Sequence, residues 1–454
     1  MPENIDVAVA GAGPAGLLAG IFSAMSGAKT VIFEAQNSPG RKILASGAGR
    51  CNLSNLATAN DFADAFGKQG RFVLHALENF SQADTRNFLA EIGLPTVANG
   101  ARVYPQSNKA VDVLACLKSA CAKLGVKIVT NSEIAELILE DFAPTHAKAD
   151  AQNAPDSNPR KRKKKKHALP EKSLKAIKLT SGKTYQTRAV IIATGGITYP
   201  QLGATGTGYD LAQSAGHKII APVAAGTGLV LDTHDFASLA GVSLSGVNIR
   251  IDAPRQPKAG LTGEMLFTHQ GITGPVVLDT SSAVARLIET TNTPAQLRVE
   301  LIAGQNSACW NDKLENWRNQ AGKSKLINKL KSEIPAAVAK RMLDLAKIDP
   351  DCTCAQVPGK SSQILCNLLG DLRVKVLRTE GIEAGFVTAG GVSLKQVAPA
   401  TLQSKLAEGV FFAGEVLDLD GKCGGFNIQW AFSSGKLAGQ NAAKLAQNKN
   451  FPQN

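Results

Sequence analysis

Long apolar runs are missing from this 454-residue chain. No stretch approaches the ~20 residues that a bilayer crossing needs, so no membrane-spanning helix is expected. A secretory leader is missing too: Met1–Asp6 carries no cationic stretch, and Val7 opens a strand-like run, so no signal peptide is expected. The eight cysteines fall at irregular spacings, which gives no disulfide framework and points to the reducing cytoplasm. Cys352 and Cys354 form a Cys-x-Cys without a second pair or a nearby histidine, so no metal is expected. Internal repeats are absent, and the length calls for roughly two or three domains at about 150 residues each.

What is present in excess is positive charge. The net value is +13, of which "RKRKKKK" (Arg160–Lys166) supplies +7 and the remaining chain +6. A basic body attracts polyanions such as nucleic acid by counterion release, without reading sequence. The plainer reading, that lysine serves only solubility, stays open at this point. Residues 143–173 combine proline, alanine, polar residues and this lysine block, and read as an exposed, disordered basic loop within a strand meander.

The strongest motif is at the start. Ile5–Ala10 reads as a buried strand entering Gly11-Ala12-Gly13-Pro14-Ala15-Gly16. A helix follows to about Gly27, and Lys29–Ala35 is a second strand carrying Glu34. This is a dinucleotide fingerprint in its strand–turn–helix–strand context. Gly11 permits the turn, Gly13 lets the backbone approach a pyrophosphate, and Gly16 lets helix and strand pack closely. The helix N-terminus offers unpaired N–H groups and partial positive charge to phosphates. Glu34 is placed to accept from the adenosine ribose.

Helices are expected at about 70–92 and 109–124, and strands at 126–130 and 132–139. Residues 197–375 mix short alternating runs such as "GVNIRID" and "LRVELIA" with helical spacing near 307–348. From 376 the α/β grammar returns, with a strand at Gly409–Ala413, the turn Gly414-Glu415, a glycine-rich loop and a helix from about Phe426. The expected fold is therefore an α/β, three-layer, Rossmann-like FAD-binding domain interrupted by a β-rich insert and a helical insert. Its expected parts are 1–196, 197–375 and 376–454. A second glycine turn suits FAD, whose ribityl chain and isoalloxazine ring need holding, better than NAD. "GRKILASGAGRCNLSN" (40–55) has no period and reads as a loop along that chain and ring. Arg41, Lys42 and Arg50 there can offset phosphate or reduced-flavin charge, and Gly47, Gly49 and Asn52 allow close contact. No second fingerprint occurs: "GATGTGY" (203–209) has its glycines in another order and no strand–helix frame. NAD(P)H would then be a transient electron donor rather than a resident.

Seven segments resemble the BaiN/RdsA (YhiN-like) family of NAD(P)/FAD-dependent oxidoreductases, a branch of the glutathione-reductase-like Rossmann flavoproteins. They are "GAGPAGLLAG", "GRKILASGAGRCNLSN", "RVYPQSNKA", "ATGGITYPQLGATGTGY", "GEMLFTHQGITGPVVL", "GFVTAGGV" and "GEVLDLDGKCGGFNIQWAFSSG". The resemblance implies tightly bound FAD. It assigns Gly11, Gly13, Ala15, Gly16 and Glu34 to the AMP half, with Arg41 and Lys42 beside it and Ile134 meeting adenine through its backbone or serving as an ordinary strand residue. Thr194 and Gly195 would close on the pyrophosphate side, Gly414 and Glu415 would approach the ribityl portion, and Gly424, Gly425, Phe426 and Asn427 would face the flavin. Asp418 and Asp420 are either site residues or turn formers.

The family's activities are reductions of an activated double bond. One branch reduces uridine to dihydrouridine in large-subunit (23S) ribosomal RNA, and another a conjugated bond in dehydro bile acids. Hydride passes from flavin N5 to one carbon, and an acid protonates its neighbour. His269 and Cys51 rank first for that acid, although each taken alone reads more readily as a structural residue. Cys423, Arg102 and Tyr199 are further substrate-side candidates. The other readings are a small-molecule flavin reductase or oxidase, and a flavin-bound RNA-binding assembly factor.

Overall fold

A computed structural model describes residues 3–141 and 170–448. The expected disordered loop at 143–173 lies outside the described residues up to 169. At its far end the structure departs from expectation, because the strand Lys172–Leu179 has already begun. Described residues divide into two compact units: 1–196 with 201–222 and 390–454, and 197–200 with 223–389. The expected boundaries had been 196/197 and 375/376.

The first unit is built on a parallel sheet. Its strands, in spatial order, are Val410–Phe412, Ala189–Ile192, Val7–Ala10, Thr30–Phe33 and Lys127–Val129, and each neighbouring pair runs parallel. "VAVA", "TVIF" and "AVII" are buried at every position, as strands covered on both faces must be. The helices Pro14–Met25, Ala110–Lys123 and Phe426–Gln447 pack together on this sheet. A second sheet (Glu3–Asn4, Thr184–Gln186, Lys172–Leu179, Ala407–Glu408 and Ile134–Asp141) forms a further layer. Phe33 meets Tyr185 edge-on across these two sheets at 4.9 Å.

Close approach of the first and last helices comes from small residues. A Cβ on Gly435 would stand 2.4 Å from the Ala15 carbonyl oxygen, and one on Gly439 2.4 Å from that of Ala19. The spacing Gly435-x-x-x-Gly439 therefore lets the backbones of two helices meet at points 420 residues apart in sequence, 435 against 15 and 439 against 19. From the small sheet Ser54–Asn55, Arg102–Pro105, Thr96–Asn99 a buried polar chain runs through the last helix to Thr85. Ser54 Oγ donates to Gln429 Oε1 (2.6 Å), and Gln429 Nε2 donates to Thr85 Oγ1 (2.7 Å).

Two expected elements are different in detail. The helix expected over 70–92 is broken: Leu74–Asn79 ends at Phe80, and Ser81 opens Gln82–Glu91 with a capping box to Asp84. Within the expected loop at 40–55, Arg41–Ala45 forms one short helix.

In the second unit the strands Leu229–Leu231, Gly271–Thr273, Leu261–Phe267, Ser243–Ile251, Ala295–Glu300 and Leu372–Thr379 close into a barrel. Leu372, Val374 and Val376 point inward while Arg373 and Lys375 alternate outward, the period-two pattern of a half-buried strand. Helices Ser307–Gln320, Leu326–Lys331, Ala336–Leu345 and Gly359–Gly370 share one apolar core with the barrel. Among the described residues, no helix is long and apolar enough to cross a membrane.

His217 gives the first unit a pH signature. The ring is 3% exposed, Nε2 lies 2.7 Å from Ser404 Oγ, and Nδ1 has no partner among the described residues. Burial pushes its pKa down to about 4. Protonation thus favours the unfolded chain. The His217 contribution should be flat above pH 6.5, and stability should fall by on the order of 3 kcal/mol between 6.5 and 4. Urea titrations across that range should show the acid limb in the native protein and lose it in His217→Gln. An identical limb in both would contradict the assignment.

Candidate active site

The N-terminal turn forms the expected cradle. Gly11 has φ +95, and a Cβ there would lie 2.7 Å from the Ala193 carbonyl oxygen. A Cβ on Gly16 would come within 1.9 Å of the Gly11 oxygen, so only glycine lets the helix start this close to the strand. Gly13 precedes Pro14 at the helix start, with no side-chain cap and no acidic residue in the first turn. The first N–H groups are left for an anion. At Gly13 and Gly195 a Cβ would meet nothing within 4 Å, so both turns face open space.

Glu34 ends the second strand with its carboxylate across the turn. Oε2 accepts from the Ala12 N–H (2.8 Å) and Oε1 from the Gln36 N–H (2.9 Å). One bond per oxygen leaves acceptor capacity on each for a ribose hydroxyl. Arg41 Nη1 donates to Gln36 Oε1 (2.8 Å), which holds the arginine beside this acid. The segment after Lys127–Val129 follows the same edge: Asn131 N–H donates to the Gln36 oxygen and Ser132 N–H to the Glu34 oxygen. Ile134, two residues on, is 4% exposed and begins a strand paired with Leu179, with a register shift before Glu136.

The C-terminal turn comes to the same helix end. Gly414 has φ +74, and a Cβ on it would lie 2.8 Å from Ala15 Cβ. Its N–H donates to Ser434 Oγ (2.9 Å), and its carbonyl accepts from Trp430 Nε1 (3.1 Å). Glu415 pairs with Lys42, Nζ to Oε2 2.8 Å, so the loop after the first glycine turn is tied to the second. Thr194 Oγ1 is buried and without a hydrogen-bond partner among the described residues. Tyr209 OH is buried and unpartnered in the same sense, and burial with Glu415 and Asp418 nearby raises its pKa. Neither Tyr209 nor the Lys42–Glu415 pair was legible as a site feature in the sequence. "GATGTGY" does meet a helix, Thr207–Ser214, but the preceding strand ends at Ile192, so no second fingerprint frame exists.

The loop 46–52 is tightly wound. Gly47, Ala48, Gly49 and Cys51 all have φ between +54 and +81. Left-handed Ala48 and Cys51 are strained for side-chain-bearing residues, and such strain gathers at ligand sites. Cys51 is 1% exposed, and burial pushes its thiol up to about 11, a hydrogen bond with Ser46 offsetting part of the rise. Asn52 fastens this loop to the last helix. With its amide turned so that Nδ2 donates to the Ser54 (2.9 Å) and Val103 (3.2 Å) oxygens, Oδ1 accepts from the Gly425 N–H (3.1 Å). Asn55 Nδ2 donates to the Gly424 oxygen (2.9 Å).

Gly424 and Gly425 have φ +136 and +97, and Phe426 opens the helix with no side-chain cap and no acid in its first turn. Asn427 clamps the preceding loop by a reciprocal pair with Gly421 at 2.8 Å. Phe426 packs edge-on to Phe62 at 4.9 Å. Asp418 accepts from Gln69 Nε2 (2.8 Å), which gives it a side-chain role beyond turn formation. His269 is exposed at the hairpin between Leu261–Phe267 and Gly271–Thr273 in the second unit, whereas the unit's left-handed Tyr199 (φ +59), in its own segment 197–200, is half-buried. Among the described residues no cluster of three or more His, Cys, Asp or Glu could hold a metal. None of the eight cysteines, all among the described residues, is in a disulfide.

These parts fit a dinucleotide with an extended second half. There is an uncapped helix end with a free acceptor on Glu34, an orphan hydroxyl on Thr194, and a second uncapped helix start at Phe426. The HI0933-like protein Rossmann domain model matches residues 5–441. A 3-dehydro-bile acid delta(4,6)-reductase of Clostridium scindens is 30% identical over 441 residues, covering 96% of this chain and 99% of that one. A ribosomal RNA dihydrouridine synthase of Haemophilus influenzae is 28% identical, covering 95% of this chain and 96% of its own. Among solved structures, the quinol fumarate reductase FrdA of Escherichia coli shares the fold with a TM-score of 0.51 at 15% identity, over 100% of this chain and 72% of that one. The chain belongs to the HI0933-like Rossmann family and is an FAD-dependent oxidoreductase.

Proposed function

We propose that this enzyme uses NAD(P)H to reduce the C5–C6 double bond of a uridine in large-subunit ribosomal RNA. One observation carries the substrate assignment: a net charge of +13, with +6 still present outside the lysine block. A polyanion gains from such charge through counterion release, whereas a bile acid with a single carboxylate gains little. The name of the Haemophilus influenzae relative supports the same reading. The reaction balances as uridine, NAD(P)H and a proton giving dihydrouridine and NAD(P)⁺, in the cytoplasm where ribosomal RNA is. FAD, when bound, supplies the two-electron relay between the nicotinamide and the alkene.

The chain's share is to hold the base, exclude water and place one proton. To enter, the uridine must be unstacked or already single-stranded. Cys51 and His269 are the proposed proton sources, and pH separates them. A thiol near 11 stays protonated, so Cys51 as donor leaves kcat flat up to about pH 10. Loss of the true donor lowers kcat by about 10²–10⁴ with KM little changed. Cys51→Ala and His269→Gln, each taken through a kcat–pH profile, therefore identify it. Equal kcat in both variants would remove both residues from the role.

Mass spectrometry of large-subunit RNA from a strain lacking the protein tests the substrate. We expect one dihydrouridine to disappear and to return on complementation; an unchanged amount refutes the RNA reading. The Clostridium scindens relative, at 30% identity, favours a second reading in which a small conjugated enone is reduced. In that case the RNA is unchanged and the enone turns over.

A further inference from the structure

We infer that a cavity in the first unit, between the strand Arg102–Pro105 and the entrance of the last helix, receives the phosphate flanking the substrate uridine. Arg50 and Arg102 are the groups that hold it. This inference rests on the RNA reading above and names the contact by which it would operate.

The cavity has a volume of about 520 Å³, and Arg50, Asn55, Asn99, Arg102, Tyr104 and Cys423 line it. Its chemistry is one-sided. Two guanidinium groups and two amides stand on the wall, no carboxylate does, and no aliphatic side chain larger than that of Ala101 contributes. Pockets for apolar small molecules are lined mainly by hydrophobic groups, so this wall suits a rigid steroid poorly. It suits phosphate, whose oxygens match the guanidinium fork in bidentate fashion.

The two arginines are prepared differently. Arg50 lies over the ring of Tyr104, 5.5 Å from guanidinium carbon to centroid, and its Nε donates to the Gly47 oxygen (3.4 Å). Tyr104 is itself 6% exposed, so the platform is fixed. Stacking holds the guanidinium plane and leaves the two η nitrogens for a ligand. Arg102 is exposed, and its guanidinium has no hydrogen-bond or ion-pair partner among the described residues. Asn55 is spent on structure, since its amide bridges the Gly424 oxygen and the Ala57 N–H.

Placement matters as much as charge. The cations near the first glycine turn are committed, Arg41 to Gln36 and Lys42 to Glu415. Arg50 and Arg102 stand instead beside Gly424, just ahead of the helix start assigned to the flavin end of the cofactor. A substrate base presented to that end brings its own phosphate along, and these are the cations that meet it.

Equilibrium dialysis of FAD-loaded protein against uridine and uridine 3′-monophosphate tests this directly. We expect the nucleotide to bind at least ten-fold more tightly than the nucleoside, and Arg102→Gln to reduce that preference to under three-fold. Arg102 is exposed on its strand, so the variant should fold; its bound FAD, read from the visible spectrum, checks that it has. Equal binding of nucleoside and nucleotide, or a preference that survives in Arg102→Gln, overturns the inference. The RNA reading fails separately. Phosphate preference without dihydrouridine formation leaves the cavity assignment standing, whereas dihydrouridine formation without phosphate preference removes it.

Discussion

Gly414→Val should yield protein that purifies without its yellow colour. The residue sits at φ +74, where a β-branched side chain is strained, and even a Cβ would be 2.8 Å from Ala15 Cβ. Left-handed strain and overpacking together cost about 3 kcal/mol, roughly 100-fold in affinity. The cost falls on the cofactor because of how the turn is anchored. Ser434 and Trp430 hold its N–H and carbonyl to the last helix, so the displaced partner is the N-terminus of Pro14–Met25, the end proposed to receive the pyrophosphate. Gly93→Ala is the matched control. It carries similar φ strain (+97) but meets nothing within 4 Å, and it should keep its FAD. Titration of the stripped proteins with FAD, followed by flavin fluorescence, measures both; an unaltered affinity in Gly414→Val would mean that the second turn does not touch the cofactor.

Deleting Asn158–His167 should flatten the salt dependence of RNA binding. The segment holds seven of the chain's cations and lies outside the described residues, and no glycine turn is within it. If each cation displaces counterions from single-stranded RNA, the slope of log K against log salt loses about 0.7 per contact, hence up to about 5 in all. Affinity at low salt falls by orders of magnitude, while bound FAD is retained. Filter binding over a salt series checks this. The same slope in both proteins would show that the lysine block is not an RNA contact.

The sequence was most informative where a motif is local. Strand, glycine turn, helix and Glu34 lie within 31 residues, and each glycine answers a short-range steric demand, so the cradle could be read directly. Contacts over long separations could not. Lys42 and Glu415 are 373 residues apart, and nothing in either neighbourhood marks them as a pair. Gly435 and Gly439 carry a close-packing signal, but their partner backbone is named only by the fold. The helix Arg41–Ala45 is not legible in the sequence, because five residues show no apolar period. The break at Phe80 was in reach, since Ser81 and Asp84 have the spacing of a capping box. The thiol of Cys51 is visible in the sequence, while its burial and left-handed backbone depend on the loop's closure around Ser46.

The convergence of Gly414 on the start of the first helix is what we propose makes two glycine motifs one flavin site. The visible absorption spectrum of the purified chain, before and after incubation with excess FAD, tests it most directly. One FAD per chain, with the two-band spectrum of a bound flavin, is the expected result. A chain that stays colourless after that incubation would contradict the site, and with it every role assigned around it.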